Sequence, residues 1–383
     1  MSLGFRRLTA TTAAVLAASL TFGPAGPAAA QEGALDPSSL GDGSVELALG
    51  SLGALPVGST AGLIGSVGSA DFPLGAGSME KLYGEPRPHK DVAQSGFVSK
   101  TTDGNFEYWV VDSYAMQREV LVEVKPSTGD GPAPVLYLLD GVDSPEDPSG
   151  WRSMAKVDTR PVANDNVHIV APTGAYASYW TDWQNNDPLL GNYKWETFLT
   201  EELPDIVADQ LNVNGKNAVG GISMGGQAAM HLAATDDMYD AVMSFSGNYS
   251  TMDPLGYQTL RLTVETRGAE LDNMWGPHGS EQWRANDTIS HVNDLAGKKV
   301  FFSAGNGALG PDDLGVYKDD VQSMAVGVVL ERGVFEGTTA FERALNSAGV
   351  EHEVVYTPTG AHNWVNFMKN FDAGWNYIKG ALD

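Results

Sequence analysis

An α/β architecture, with a mostly parallel central sheet covered by helices on both faces, follows from three features of this 383-residue chain. Short apolar runs such as Val135–Leu139 and Val167–Ala171 end abruptly in Asp140-Gly141 and Pro172-Thr173-Gly174, as buried strands entering loops do. Such runs alternate with longer helical stretches. One run feeds a glycine-bracketed serine, Gly221-Ile222-Ser223-Met224-Gly225, which leads directly into a helix.

In chain order, Phe106–Val111 and Glu119–Val124 read as strands, followed by Val135–Leu139 and Val167–Ala171. A helix is expected over Trp195–Leu211, then the strand 217–222, then a helix of small and apolar residues through Gln227–Ala234. Ala241–Phe245, Lys299–Ala304 and Glu353–Tyr356 supply further strands, and helices are expected over 313–330, 337–348 and 364–381.

The N-terminal quarter reads differently. Residues 1–30 carry Arg6 and Arg7, a short apolar stretch Leu8–Phe22 and an Ala28-Ala29-Ala30 cleavage pattern, the arrangement of a secretory signal peptide. Residues 31–100 divide into a Gly/Ser-rich arm (31–75) and an irregular lead-in (76–100), leaving 101–383 as the catalytic-type domain. No later stretch has the roughly 18 uninterrupted apolar residues of a membrane span. The expected location is therefore secreted or within the cell envelope.

Composition narrows the chemistry. The chain has no cysteine, which removes disulfides and thiolate chemistry. Its net charge of −25 argues against nucleic acid as a partner, because phosphate binding needs clustered Lys and Arg. No metal or nucleotide motif is present, so no cofactor is expected.

Ser223 sits in a G-x-S-x-G elbow with the strand and helix that such a turn needs, which points to the α/β-hydrolase fold and a serine nucleophile. The chain order of that fold is serine, acid, histidine. Of seven histidines, His362 lies in the loop after the last strand, where the fold delivers its base. His352 starts a strand at the opposite edge, and His231 lies within the helix after the elbow. For the acid, position after the penultimate strand favours Asp312 or Asp313, and pattern alone does not separate them from Asp319, Asp320 or Glu331. The N–H groups of Met224 and Val142 are the expected oxyanion donors, from the residue after the nucleophile and from the Leu139-Asp140-Gly141-Val142 loop.

Several strings resemble the antigen 85 type mycolyltransferases. They include Leu136-Tyr137-Leu138-Leu139-Asp140-Gly141, Gly150-Trp151, Thr181-Asp182-Trp183, Tyr193–Thr200, Met274-Trp275-Gly276-Pro277 and Gly305-Asn306-Gly307. The likeness runs from about Glu107 to the C-terminus. It implies transfer of a mycolyl chain from trehalose monomycolate to a trehalose lipid or another cell-envelope acceptor. It also implies Glu331 as the acid, ten residues before Phe341, and a sugar site lined by Asp140, Asn363 and Trp364. Segment 252–277, with Trp275, is expected to shape the lipid groove.

The chain departs from the family where an arginine that helps hold trehalose is replaced by Asp143, while Arg152 stands where the family has aspartate. Either the two form a reversed ion pair or the sugar subsite is altered. An altered subsite fits transfer to an envelope protein. A carboxylesterase passing the acyl group to water and a non-catalytic envelope protein are the other classes that the sequence leaves open.

Overall fold

The computed structural model describes residues 88–318 and 320–383. The signal peptide read at 1–30, the arm at 31–75 and the first part of the lead-in lie outside the described residues. Nine strands form one sheet: β1 (Gly96–Asp103), β2 (Phe106–Ser113), β3 (Arg118–Lys125), β4 (Ala133–Leu139), β5 (His168–Pro172), β6 (Val213–Ile222), β7 (Ala241–Phe245), β8 (Lys299–Ala304) and β9 (His352–Tyr356). Their spatial order is β1-β2-β3-β5-β4-β6-β7-β8-β9. β1, β2, β3 and β5 pair antiparallel in succession, and every pairing from β5 through β4 to β9 is parallel.

The helices that position the site are α1 (Trp195–Thr197, a π turn at Phe198–Glu202, then Leu203–Gln210), α2 (Ser223–Thr235), α3 (Pro254–Glu265), α4 (Pro311–Tyr317), α5 (Val321–Ala348), α6 (Trp364–Met368) and α7 (Phe371–Ile378).

Side chains alternate across the parallel strands, and this alternation builds two cores. In β4, Val135, Tyr137 and Leu139 face one side with Trp183, Trp195 and the α2 residues Ala229 and Met230. Leu136 and Leu138 face the other, with Trp151, Phe371, Trp375 and Ile378. All seven β4 residues are buried, which is why the run reads as continuously apolar.

Three differences from the sequence expectation have local causes. The segment read as an irregular lead-in ends inside β1, whose first five residues it holds; six of the eight residues of this edge strand are exposed, so it carries no apolar alternation. The helices expected at 313–330 and 337–348 are instead α4 and one 28-residue helix, α5. Lys318, at φ 49°, ends α4. Gly327 and Gly337 inside α5 do not interrupt it. A Cβ at those positions would lie 2.1 Å from Tyr317 Oη and 2.3 Å from Asn248 Oδ1, so these glycines mark close packing rather than helix ends. Finally, the 364–381 stretch breaks after Met368 into α6 and α7.

Candidate active site

β6 delivers Ser223 to the carboxyl edge of the sheet in the left-handed region, at φ 53°. That conformation is costly for a non-glycine residue and persists only where its surroundings enforce it. Here they do. A Cβ on Gly221 would meet Gly225 O at 2.1 Å, and one on Gly225 would meet Leu139 O at 2.3 Å. Both glycines are thus required by backbone approach, and β4, β6 and α2 close around the turn.

His362 Nε2 lies 2.7 Å from Ser223 Oγ, and His362 Nδ1 lies 2.7 Å from Glu331 Oε2. Glu331 is fully buried, and its Oε1 accepts from Ser246 Oγ at 2.7 Å and Gly305 N–H at 2.6 Å. The carboxylate is therefore held on one oxygen and aimed with the other. His362 is held through its backbone, which donates to Gly327 O and accepts from Tyr317 Oη at 3.0 Å.

Asp313, which position alone favoured as the acid, is fully buried but does not reach His362. Its Oδ1 accepts from Ala361 N–H, Asn363 Nδ2 and Asn366 Nδ2 at 3.1, 2.8 and 2.6 Å, and its Oδ2 accepts from Gly310 N–H at 2.7 Å. It ties the start of α4 to the loop bearing His362. Asp312 forms an ion pair with Lys369 at 2.9 Å.

The 140–143 loop lies against the serine, since a Cβ on Gly141 would sit 3.4 Å from Ser223 Cβ. Ser144 N–H donates to Gly141 O at 3.1 Å, which sets the plane of the peptide whose other end is Val142 N–H. Met224 is the second residue of α2, so its N–H has no acceptor within the helix. Val142, Met224, Ser223 and His362 all line one cavity of about 300 Å³. α3 supplies Thr259, Leu262 and Thr263 to its wall, while α5 supplies Val326, Leu330 and Val334. Of the segment 252–277, α3 thus lines the cavity beside Ser223. Trp275 is buried against Tyr179 and Trp283 and does not line this cavity.

The expected sugar-site residues are arranged differently. Asp140 is buried and accepts from Gly150 N–H at 3.0 Å; removal from water raises its pKa to about 7, with Glu123 nearby adding to the rise. Asn363 is committed to Asp313. Trp364 packs edge-on against Trp151 with ring centroids 5.5 Å apart. None of the three lines the cavity.

Nor do Asp143 and Arg152 pair with each other. Arg152 binds Asp103 at 2.5 Å and stacks over Tyr108, whereas Asp143 faces Arg267 at 3.4 Å on the cavity rim. Ser246 and Arg267 escaped the sequence reading. Ser246 had a weak signal, its place directly after the buried strand β7, and the structure holds it at φ 56°. Arg267 had none, because it meets its partner 124 residues away.

This fold, with a hydrogen-bonded serine, histidine and glutamate at the strand carboxyl edge, defines an α/β-hydrolase-fold protein of the serine-esterase type. The family model described as "Putative esterase" matches residues 113–378. The chain is 32% identical over 290 residues to diacylglycerol acyltransferase/mycolyltransferase Ag85B of Mycobacterium avium, covering 72% of this chain and 83% of that protein. It is 31% identical to Ag85A of Mycobacterium leprae, covering 67% and 78%. Among solved structures, MPT51 (FbpC1) of Mycobacterium tuberculosis superposes with a TM-score of 0.61 at 24% identity, over 73% of this chain and all of that one. An S-formylglutathione hydrolase from Agrobacterium tumefaciens superposes at 0.54 and 16% identity, over 75% of this chain and all of that one. The chain belongs to this esterase family and is a homologue of the antigen 85 mycolyltransferases.

Proposed function

We propose that this protein is a secreted acyltransferase that moves a mycolyl chain from trehalose monomycolate to a trehalose lipid or another cell-envelope acceptor through an acyl-enzyme. The observation that carries the reading is the serine–histidine–glutamate chain opening into a cavity with an apolar wall from α5, in a homologue of mycolyltransferases. The leader pattern at residues 1–30 supports export. Among the described residues, no helix is long and apolar enough to cross a membrane.

In this mechanism Ser223 Oγ attacks the ester carbonyl while His362 Nε2 takes its proton. Glu331 holds the Nδ1–H tautomer and stabilises the imidazolium. The N–H groups of Val142 and Met224 carry the oxyanion. Collapse of the tetrahedral species breaks the ester C–O bond, and His362 returns the proton to the departing sugar oxygen. An acceptor hydroxyl then attacks the acyl-enzyme while His362 takes its proton; collapse breaks the acyl–Oγ bond, and His362 returns the proton to Ser223 Oγ. The 2.7 Å contacts on both sides of the imidazole support these roles.

The test is to incubate the mature protein with trehalose monomycolate and analyse every acylated product by mass spectrometry. Trehalose dimycolate, a mycolated envelope polymer or a mycolated protein identifies the acceptor. Release of free mycolate alone, in the presence of each acceptor, overturns transferase activity in favour of an esterase.

A further inference from the structure

The cavity rim carries a charged pair that the acyl-transfer steps do not use. Arg267 lies two residues beyond the end of α3 and lines the same cavity as Ser223. Its Nη2 is 3.4 Å from Asp143 Oδ1, and its Nη1 donates to Thr266 Oγ1 at 2.9 Å. Its Nε is buried with no partner among the described residues. Charge-assisted N–H···O contacts ordinarily close to about 2.7–2.9 Å. Asp143, whose side chain is 76% exposed, therefore engages Arg267 only loosely and leaves much of the guanidinium fork uncommitted.

The chemistry of this pair selects its ligand. A guanidinium only donates hydrogen bonds, and a carboxylate only accepts them. An anionic ligand drawn to Arg267 meets repulsion from Asp143, and a cation meets the reverse. An apolar group strips water from both charges and returns nothing. Neighbouring hydroxyls on a neutral polyol satisfy both, since each hydroxyl donates and accepts. Thr263 and Tyr179, joined by a 3.0 Å hydrogen bond beside the pair, extend the same polar wall. α5 contributes apolar side chains to the cavity, so the acyl chain and the polyol have separate surfaces.

We infer that Arg267 and Asp143 together form a polyol subsite, gripping a vicinal diol of the sugar that departs from, or accepts, the acyl chain at Ser223. The inference rests on the proposed sugar-ester reaction but assigns recognition to residues from two separate loops. Arg267 is then a specificity-determining residue.

The test uses two readouts. Trehalose is titrated calorimetrically into the Ser223→Ala protein, alone and combined with Arg267→Met or Arg267→Lys. Turnover of trehalose monomycolate is also compared with that of p-nitrophenyl butyrate, which has no sugar, in proteins with Ser223 intact. Arg267→Met is expected to weaken trehalose binding by about 10- to 100-fold, the worth of a charged hydrogen bond, with partial recovery in Arg267→Lys. The ratio of sugar-ester to p-nitrophenyl ester turnover should fall by a similar factor. Unchanged trehalose affinity, no saturable trehalose binding, or an equal loss on both esters would overturn the subsite. If no mycolate is transferred yet trehalose binding still depends on Arg267, the transferase reading fails and the subsite stands.

Discussion

Two buried carboxylates compete for the role of acid, and exchanging each for its amide separates them. Glu331 meets His362 with Oε2 while Oε1 holds the Ser246 hydroxyl and Gly305 N–H. In Glu331→Gln the amide oxygen keeps those two donors, so NH₂ faces Nδ1. The imidazole must then accept at Nδ1 and carry its proton on Nε2, where it cannot take the serine proton. Loss of the correct tautomer is expected to lower kcat by about 10⁴, as in other serine triads. One altered hydrogen bond limits the stability loss to about 1–3 kcal/mol. Asp313→Asn behaves in the opposite way. Its oxygen keeps Ala361 N–H and the two asparagine amides, and its NH₂ is turned against Gly310 N–H. Two buried donors then lack acceptors, at about 1–3 kcal/mol each, so the stability loss is about 2–6 kcal/mol. Urea unfolding, with p-nitrophenyl butyrate turnover per folded molecule, reads both effects. An Asp313→Asn protein with an unchanged unfolding midpoint and a thousandfold loss of turnover, beside an active Glu331→Gln protein, would refute the assignment.

Four further outcomes are expected. Ser223→Ala should abolish acyl transfer, and a phosphonate ester should add once to the wild-type protein, at Ser223, as read by intact mass and peptide mapping. Gly225→Ala should fold poorly or lose nearly all turnover, because its methyl group would press within 2.3 Å of Leu139 O; circular dichroism and ester kinetics report which. Asp140 has a folded pKa near 7 against about 3.9 unfolded, so the folded state retains a proton that the unfolded chain releases between those values. Its contribution to stability therefore declines as pH rises through that window, by at most about 4 kcal/mol, and Asp140→Asn should flatten the slope in denaturant titrations at pH 4–8. A chain beginning at Met79 should fold and hydrolyse short esters, since it keeps β1 and the Val92–Gln117 contacts; one beginning at Thr101 cuts through β1 and should show a lower melting temperature.

The readable parts of this protein are those whose demands are local. Ser223 was legible because a left-handed serine between close-packed backbones needs glycine at 221 and 225 and a strand and helix on either side. His362 was legible because the last loop of an alternating fold has a known edge of the sheet to reach. Buried strands such as β4 announce themselves because burial on both faces leaves no polar positions. The division of labour between carboxylates was not legible by pattern, and only resemblance favoured Glu331. Asp313 meets asparagines 50 and 53 residues away, and Glu331 meets its histidine across 31. The same limit governs the charges at the cavity rim. Asp143 and Arg152 are close enough in sequence to invite pairing, yet the sheet sends Arg152 to Asp103 on β1 and leaves Asp143 facing Arg267. Asp140 reads as a loop residue, but the fold buries it beside Gly150. Charge and hydrogen-bond partners are chosen by distance in space, and a side chain carries no local mark of which distant element will arrive beside it. The tertiary structure alone decided those pairings.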